Sequence, residues 1–310
     1  FVFLYAMHDA LIKPLPGKDD PKYRFNWNTP IALSPTRDDT VYLGGQFLFR
    51  TRDRGESWEK ISPDLTTDDP EKQKQIDSGG LTPDNSTAEN HCTIYTISES
   101  PKNESVIWAG TDDGNLQITR NGGKTWTNVV GNVTGLTKYT WVSHVEASRF
   151  AEGAAYVTFD GHTSGDMKPY VYKTADFGQT WTALATDAVE GFCHVIREDL
   201  ESANLLFLGT ELGLFVSVDG GVQWARFEGN VPKVPVRDLA IHPREHDLII
   251  ATHGRGILIV DDIAPLRQLT KDVLEADVAM LKSRPSVLRI PAGEQEFPGD
   301  DEYFGPNPPD

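Results

Sequence analysis

A turn motif that recurs four times constrains this chain more than any other feature of its sequence. It reads Thr51-Arg-Asp53-Arg-Gly55-Glu-Ser57-Trp58, then Thr119-Arg-Asn121-Gly-Gly123-Lys-Thr125-Trp126, then Thr174-Ala-Asp176-Phe-Gly178-Gln-Thr180-Trp181, then Ser217-Val-Asp219-Gly-Gly221-Val-Gln223-Trp224. Asp53, Asn121, Asp176 and Asp219 follow one another at spacings of 68, 55 and 43 residues. Self-similarity over tens of residues marks a repeat architecture. The pattern has the chemistry of a β-hairpin turn: the Asp carboxylate accepts from turn amides, Gly takes a positive φ, and Trp anchors the strand that follows.

Before each motif come an apolar run and a β-branched run that ends at a glycine turn, the signature of successive short strands. The first unit runs through Ile31–Ser34, Val41–Gly45, Phe47–Thr51 and Trp58–Ile61, and the second through Thr93–Ser98, Val106–Gly110, Leu116–Thr119 and Trp126–Val129. The third and fourth repeat the order up to Trp181 and Trp224. A fifth copy, in Val236–Ile241, Leu248–Thr252 and Gly256–Asp261, has no turn motif after its third strand. Four-stranded antiparallel units at such a period predict an all-β β-propeller with radially packed blades. The expected blades are 25–65, 91–134, 139–187, 191–231 and 233–265, with a polar loop at 66–90, inside a propeller of 25–265. Residues 1–24 form an N-terminal segment. Either Phe1–Ala6 or Val287–Ile290 can supply the outer strand that the fifth blade lacks. Apolar residues at Val273, Leu274, Val278 and Leu281 predict one amphipathic helix over 270–283, and 266–310 reads as helix and Pro/Gly-rich linker to a downstream domain.

Composition narrows the function classes. The formal charge is −17, from 29 Lys+Arg against 46 Asp+Glu. Phosphate backbones call for clustered cations, so nucleic acid is an unsuitable partner. With 2 Cys, Cys92 and Cys193, neither a disulfide framework nor a four-thiolate metal site can form. The Phe1–Met7 run is too short to span a bilayer, so no direct membrane insertion is expected.

The four motifs resemble Asp boxes, or BNR repeats, which occur in sialidases, xyloglucanase-type glycoside hydrolases and sortilin-type receptors. The resemblance covers about residues 25–265. The run Gly209-Thr-Glu-Leu-Gly-Leu-Phe-Val-Ser-Val-Asp-Gly-Gly, followed by Ala251-Thr-His-Gly-Arg-Gly-Ile, is similar to large bacterial secreted proteins of the sortilin N-terminal-like, glycosyl hydrolase-like group. That resemblance implies a propeller within a longer extracytoplasmic chain, with further blades and further domains. The Cys-rich modules of true sortilins have no counterpart here, and Asn121 and Gln223 depart from the usual Asp and Thr. It also implies that the box residues Asp53, Asn121, Asp176, Asp219, Trp58, Trp126, Trp181 and Trp224 are structural, on the side of the ring away from the chemistry.

The opposite face carries the turns between second and third strands and the starts of the innermost strands. Its carboxylates are Asp112, Asp113, Asp160 and Glu211, the candidate catalytic groups if the chain is a glycoside hydrolase, which needs two carboxyls flanking the bond. Its candidate ligand-binding residues are Trp27, His91, Trp141, His144, His162, His194, Arg237, His253 and Arg255. Carboxylates, imidazoles and indoles around a central mouth suit a glycan, peptide or protein ligand. The same polar groups also serve to satisfy buried strand ends and ordered water. Glu211 and His253 each follow a Gly/Ala-Thr pair in successive blades, which predicts that they meet at the mouth.

Other motifs carry less. Arg289-Ile290-Pro291 resembles the sialidase Arg-Ile-Pro element, which precedes the boxes in that family and follows them here. The Asp160–Asp166 loop lacks the spacing and closing Glu of a calcium loop. His242 and His246 stand beside Pro243 in a turn, a poor zinc pair. No metal and no cofactor is expected. Binding is the favoured reading and hydrolysis the alternative, because the box is a scaffold and a fold does not fix an activity.

Overall fold

The computed structural model describes residues 12–74 and 90–285. Its strands form five antiparallel sheets in which each strand pairs with its sequence neighbour. Blade 1 contains β1 (Ile31–Leu33), β2 (Val41–Gly44), β3 (Leu48–Thr51) and β4 (Glu59–Lys60). Blade 2 contains β5 (Ile94–Ser100), β6 (Asn103–Thr111), β7 (Leu116–Thr119) and β8 (Thr127–Asn128). Blade 3 contains β9 (Trp141–Ala147), β10 (Ala155–Gly161), β11 (Asp166–Thr174) and β12 (Thr182–Ala183). Blade 4 contains β13 (Cys193–Glu198), β14 (Leu206–Thr210), β15 (Gly213–Ser217) and β16 (Ala225–Arg226). Blade 5 has three strands, β17 (Val236–Ile241), β18 (Leu248–Thr252) and β19 (Ile257–Val260). The architecture is the expected all-β propeller. The two segments expected to complete blade 5, Phe1–Ala6 and Val287–Ile290, lie outside the described residues, as does Arg289-Ile290-Pro291.

The core lies between blades, not inside one. Middle strands such as β10 and β14 are buried along their whole length because a neighbouring sheet covers each side. Trp108, Val142, Val157 and Phe159 fill the junction of blades 2 and 3. Tyr156, Val171, Leu208 and Phe215 fill that of blades 3 and 4, and Phe207, Leu239, Leu248 and Ile250 that of blades 4 and 5. Burial of such side chains contributes about 1.5–3 kcal/mol each.

The recurrent turn clamps each of blades 1 to 4 twice. Its acidic or amide residue accepts a backbone N–H four residues on: Ser57 to Asp53 at 2.9 Å, Thr125 to Asn121 at 2.9 Å, Thr180 to Asp176 at 2.9 Å and Gln223 to Asp219 at 3.0 Å. The opening hydroxyl accepts from the glycine N–H, at 2.9–3.0 Å in all four copies. The Asn121 amide serves as well as a carboxylate because its Nδ2 donates to Thr125 Oγ1 at 2.8 Å, where Asp53 and Asp176 accept from the Ser57 and Thr180 hydroxyls.

Two expectations need correction. The repeat predicts that the four turn indoles are buried in equivalent positions; of the four, Trp224 is buried, whereas Trp58, Trp126 and Trp181 are half-buried. Trp126 and Trp224 donate across to the Ile61 and Leu184 carbonyls of the preceding blade at 3.1 and 2.9 Å. The helix expected over 270–283 is a single turn, Lys271–Glu275, with Ala276 already extended. Val278 and Met280 are exposed, and a short helix without a packing face is marginal in water. Of the polar loop, residues 66–74 and 90 are described. Thr67 anchors it on Asp113, and Pro70–Gln73 forms a 3-10 turn.

Candidate functional site

In an antiparallel four-stranded unit, the start of the first strand and the turn between second and third share one edge. The recurrent turns occupy the other edge. The innermost strands β5, β9, β13 and β17 stand side by side around the channel, and each carries one extra residue near its start. The register shifts between Ile94 and Thr96, between Val142 and His144, between Cys193 and Val195, and between Val236 and Asp238. The inserted residues are therefore Tyr95, Ser143, His194 and Arg237. Bulges of this kind re-aim side chains and concentrate next to functional sites.

The best-defined group lies across blades 4 and 5. His194 Nε2 is 2.9 Å from Glu211 Oε2, and Arg237 Nη1 lies 3.3 Å from His194 Nδ1. Burial holds the His194 imidazole below its usual pKa, which keeps it neutral. Nδ1 then accepts from the guanidinium and Nε2–H donates to the carboxylate. Arg237 Nη2 is 3.7 Å from the same Glu211 oxygen, so the three groups share one positive and one negative charge.

Beside them, Phe192 is packed between two imidazoles. The His162 ring stacks on it at 4.6 Å and 14°, and His194 meets it edge-on at 5.0 Å. His162 is held in turn by Asp160, whose Oδ1 accepts its backbone N–H at 2.9 Å and lies 2.6 Å from Nδ1. Tyr95 and Trp141 form a T-shaped pair at 4.8 Å, and Asn28 donates to the Tyr95 hydroxyl at 3.4 Å. Burial raises the Tyr95 hydroxyl pKa, while Arg237 opposes that rise and Asp160 and Asp112 add to it. Tyr95 thus lies in the field of three blades besides its own contacts.

Other candidate residues stand elsewhere. Asp112 is fully enclosed: Thr93 N and Oγ1 donate to it at 2.8 and 2.6 Å, Asn26 at 3.2 Å, and His91 stands 3.6 Å away. Burial raises its pKa. Asp113 accepts from Thr111 Oγ1 and from Thr67 N and Oγ1. Asp113 ties the loop after blade 1 to blade 2, and Asp112 ties the segment before β1 to blade 2 through Asn26. His144 lies in the channel wall with Nδ1 unpartnered, its pKa pushed well down by burial and then by Arg197. The Trp141 indole N–H is also buried without a partner. Trp27, His253 and Arg255 are exposed at the rim. Glu211 does not meet His253; its partners are His194 and Arg237. The reason is that β17 brings Arg237 across before the blade 5 turn is reached. His242 Nδ1 accepts the backbone N–H groups of Arg244 and Glu245, which closes a turn. Among the described residues no group of three or more His, Cys, Asp or Glu could hold a metal ion, and no helix is long and apolar enough to cross a membrane.

Tyr95, Ser143 and Phe192 were not foreseen from the sequence. Aligning the innermost strands on Ile94, Val142, Cys193 and Val236 would have exposed the first two, because each follows that residue directly.

The sequence matches no protein-family model and no curated protein. Solved structures resemble the fold. An ancestral GH74 enzyme superposes with a TM-score of 0.54 at 15% identity, over 75% of this chain and 28% of that one. The GH74 xyloglucanase from Xanthomonas campestris gives 0.52 at 18% identity, over 74% and 36%. This chain spans little more than a third of those proteins at most. At such identities the likeness is one of fold: a β-propeller.

Proposed function

We propose that this chain is a ligand-binding β-propeller that takes a glycan, peptide or protein at the channel mouth, on the face away from the recurrent turns. One observation carries the reading: four innermost strands each carry one extra residue near their starts, Tyr95, Ser143, His194 and Arg237, on the edge away from the recurrent turns, and Arg237 there meets His194 and Glu211. A scaffold alone has no need of four matched bulges, whereas a site built on rigid strands does. We assign the recurrent turns to the Asp-box type and the chain to the sortilin N-terminal-like, glycosyl hydrolase-like group. On that assignment it acts outside the cytoplasm, within a longer chain carrying further domains.

Glycoside hydrolysis is the second reading. Asp112 and Asp113 are closed in by their donors, but Glu211 Oε1 and Asp160 Oδ2 accept no hydrogen bond among the described residues, leaving each carboxylate one oxygen for substrate. Glu211→Gln then abolishes turnover, because the amide can neither give nor take the proton.

A glycan and peptide array followed by calorimetry separates the readings. Binding without turnover, weakened by about 1–3 kcal/mol in Arg237→Ala and in Tyr95→Ala, supports the first. Release of reducing ends that stops in Glu211→Gln supports the second. Unchanged affinity in both binding variants, with no hydrolysis, means that the site lies elsewhere.

A further inference from the structure

Seven carboxylates are buried among the described residues, and six of them have both oxygens engaged. Glu99 accepts from the Ser34, Thr36 and Tyr42 hydroxyls. Asp112 accepts from Thr93 and Asn26, Asp113 from Thr111 and Thr67, and Glu198 from Ser148 Oγ and Arg149 N. Glu146 meets Glu198 N with one oxygen and the Arg197 guanidinium with the other, and Asp199 takes the fork of Arg267 on both.

Asp160, at the mouth, is the exception. Its side chain is 7% exposed. Oδ1 takes both bonds from His162, whereas Oδ2 accepts from no described residue, and no Lys or Arg among those residues pairs with it. An enclosed carboxylate oxygen without a donor is costly, so this one is fitted to a donor that the blades themselves do not supply. Glu211, in blade 4, leaves a second such oxygen: Oε2 is held by His194 and Arg237, and Oε1 is open. Both carboxylates favour the charged form of the His194 imidazole, which places them about the same ring. With the imidazoles neutral, two carboxylates there face the single guanidinium of Arg237, and one negative charge is unmatched.

The number of open oxygens selects the cation. A guanidinium pairs best when its fork meets both oxygens of one carboxylate, and neither Asp160 nor Glu211 has two to offer. An ammonium is a compact charge with three donors, which suits single oxygens contributed by two blades. Apolar surface adjoins them. Phe192 is packed between His162 and His194, and Leu212, 37% exposed, stands over Gly191 beside it, 3.1 Å from a Cβ built there. The methylene stem of a lysine lies along such a surface while its charge reaches a polar group.

The geometry points to a peptide ligand that sets a lysine ammonium against Asp160 Oδ2 and Glu211 Oε1. This inference rests on the reading of the mouth as a binding site and narrows it to one ligand chemistry.

The test is calorimetry with Nα-acetylated, C-amidated peptides that carry one central lysine between apolar residues. The tightest is compared with three twins, in which the lysine is Nε-acetylated, is replaced by arginine, or is absent while the peptide N-terminus is left free. The Nε-acetyl twin keeps the stem and loses the charge, and should bind about tenfold or more weakly. The arginine and free-terminus twins should also be weaker. Asp160→Asn and Glu211→Gln should each weaken the lysine peptide by a similar factor while leaving the Nε-acetyl twin unchanged, with circular dichroism checking the fold. The comparison of twins on wild type holds even if a variant fails to fold. Equal affinity for the lysine and Nε-acetyl peptides, or an arginine or free-terminus twin that binds as well as lysine, overturns the inference. A neutral ligand that Arg237→Ala weakens rejects the lysine and keeps the mouth as the site. Ligands whose affinity no mouth variant alters reject both.

Discussion

Gly122 and Gly123 are neighbours in one turn and both have positive φ, 71° and 97°, yet alanine should affect them very differently. In the other copies the position of Gly122 is held by Arg54, Phe177 and Gly220, with φ of 61°, 60° and 78°. Side chains are therefore tolerated there. A Cβ at Gly122 meets nothing within 4 Å, so Gly122→Ala carries only the left-handed backbone cost of about 1 kcal/mol. At Gly123 the same atom would come within 2.4 Å of the Ile61 carbonyl oxygen, the acceptor of the Trp126 indole N–H. Relief requires blades 1 and 2 to separate, which adds overpacking strain of about 1–3 kcal/mol and weakens a hydrogen bond worth about 0.5–1.5 kcal/mol. Gly123→Ala should thus cost about 3–5 kcal/mol. Urea denaturation followed by tryptophan fluorescence measures both variants. Equal costs, or a larger cost at Gly122, would refute the claim that the turn glycine is fixed by contact between blades.

Glu146 is buried beside Arg197, 2.6 Å away, and burial raises its carboxyl from 4.5 to about 7. A raised acid pKa means the folded state holds a proton that the unfolded chain has lost, so this group's contribution declines as pH rises from about 4.5 through 7. Glu146→Gln should remove that part of the slope in urea midpoints taken across the window; an unchanged slope would count against a buried, proton-holding carboxyl. His194 has the opposite sign, because its pKa is lowered. Acid that protonates Nδ1 removes the acceptor for Arg237, so affinity for any ligand at the mouth should fall below the ordinary imidazole range, and His194→Gln should flatten that fall. Cys92 and Cys193 are buried and both thiols are pushed up to about 12, so a thiol reagent should react only as fast as the protein opens; rapid labelling of native protein would disprove that enclosure.

The blade pattern was legible because the recurrent turn uses residues whose roles are local. Asp219 and Ser217 satisfy amides two to four residues away, and the Gly221 φ of 94° is a property of its own backbone. Local chemistry survives without knowledge of the fold. The site was legible only in part because it depends on register. His194, Glu211 and Arg237 could be assigned to one face, but their union rests on bulges that no composition reveals. Tyr95 was overlooked because an aromatic in a strand reads as core. Asp112 and Asp113 read as free carboxylates, and only tertiary donors from Thr93 and Thr67 show them closed. The helix over 270–283 was overread because apolar spacing says nothing about whether a surface waits to receive it.

The most direct measurement is calorimetry of the strongest array ligand against wild type, Arg237→Ala and Asp219→Ala, each at matched folded fraction. The account predicts that Arg237→Ala weakens binding by about 1–3 kcal/mol, as for a group lining a desolvated site, while Asp219→Ala, on the opposite face, leaves affinity unchanged. Affinity lost in Asp219→Ala and kept in Arg237→Ala would place the ligand on the turn face and contradict the account.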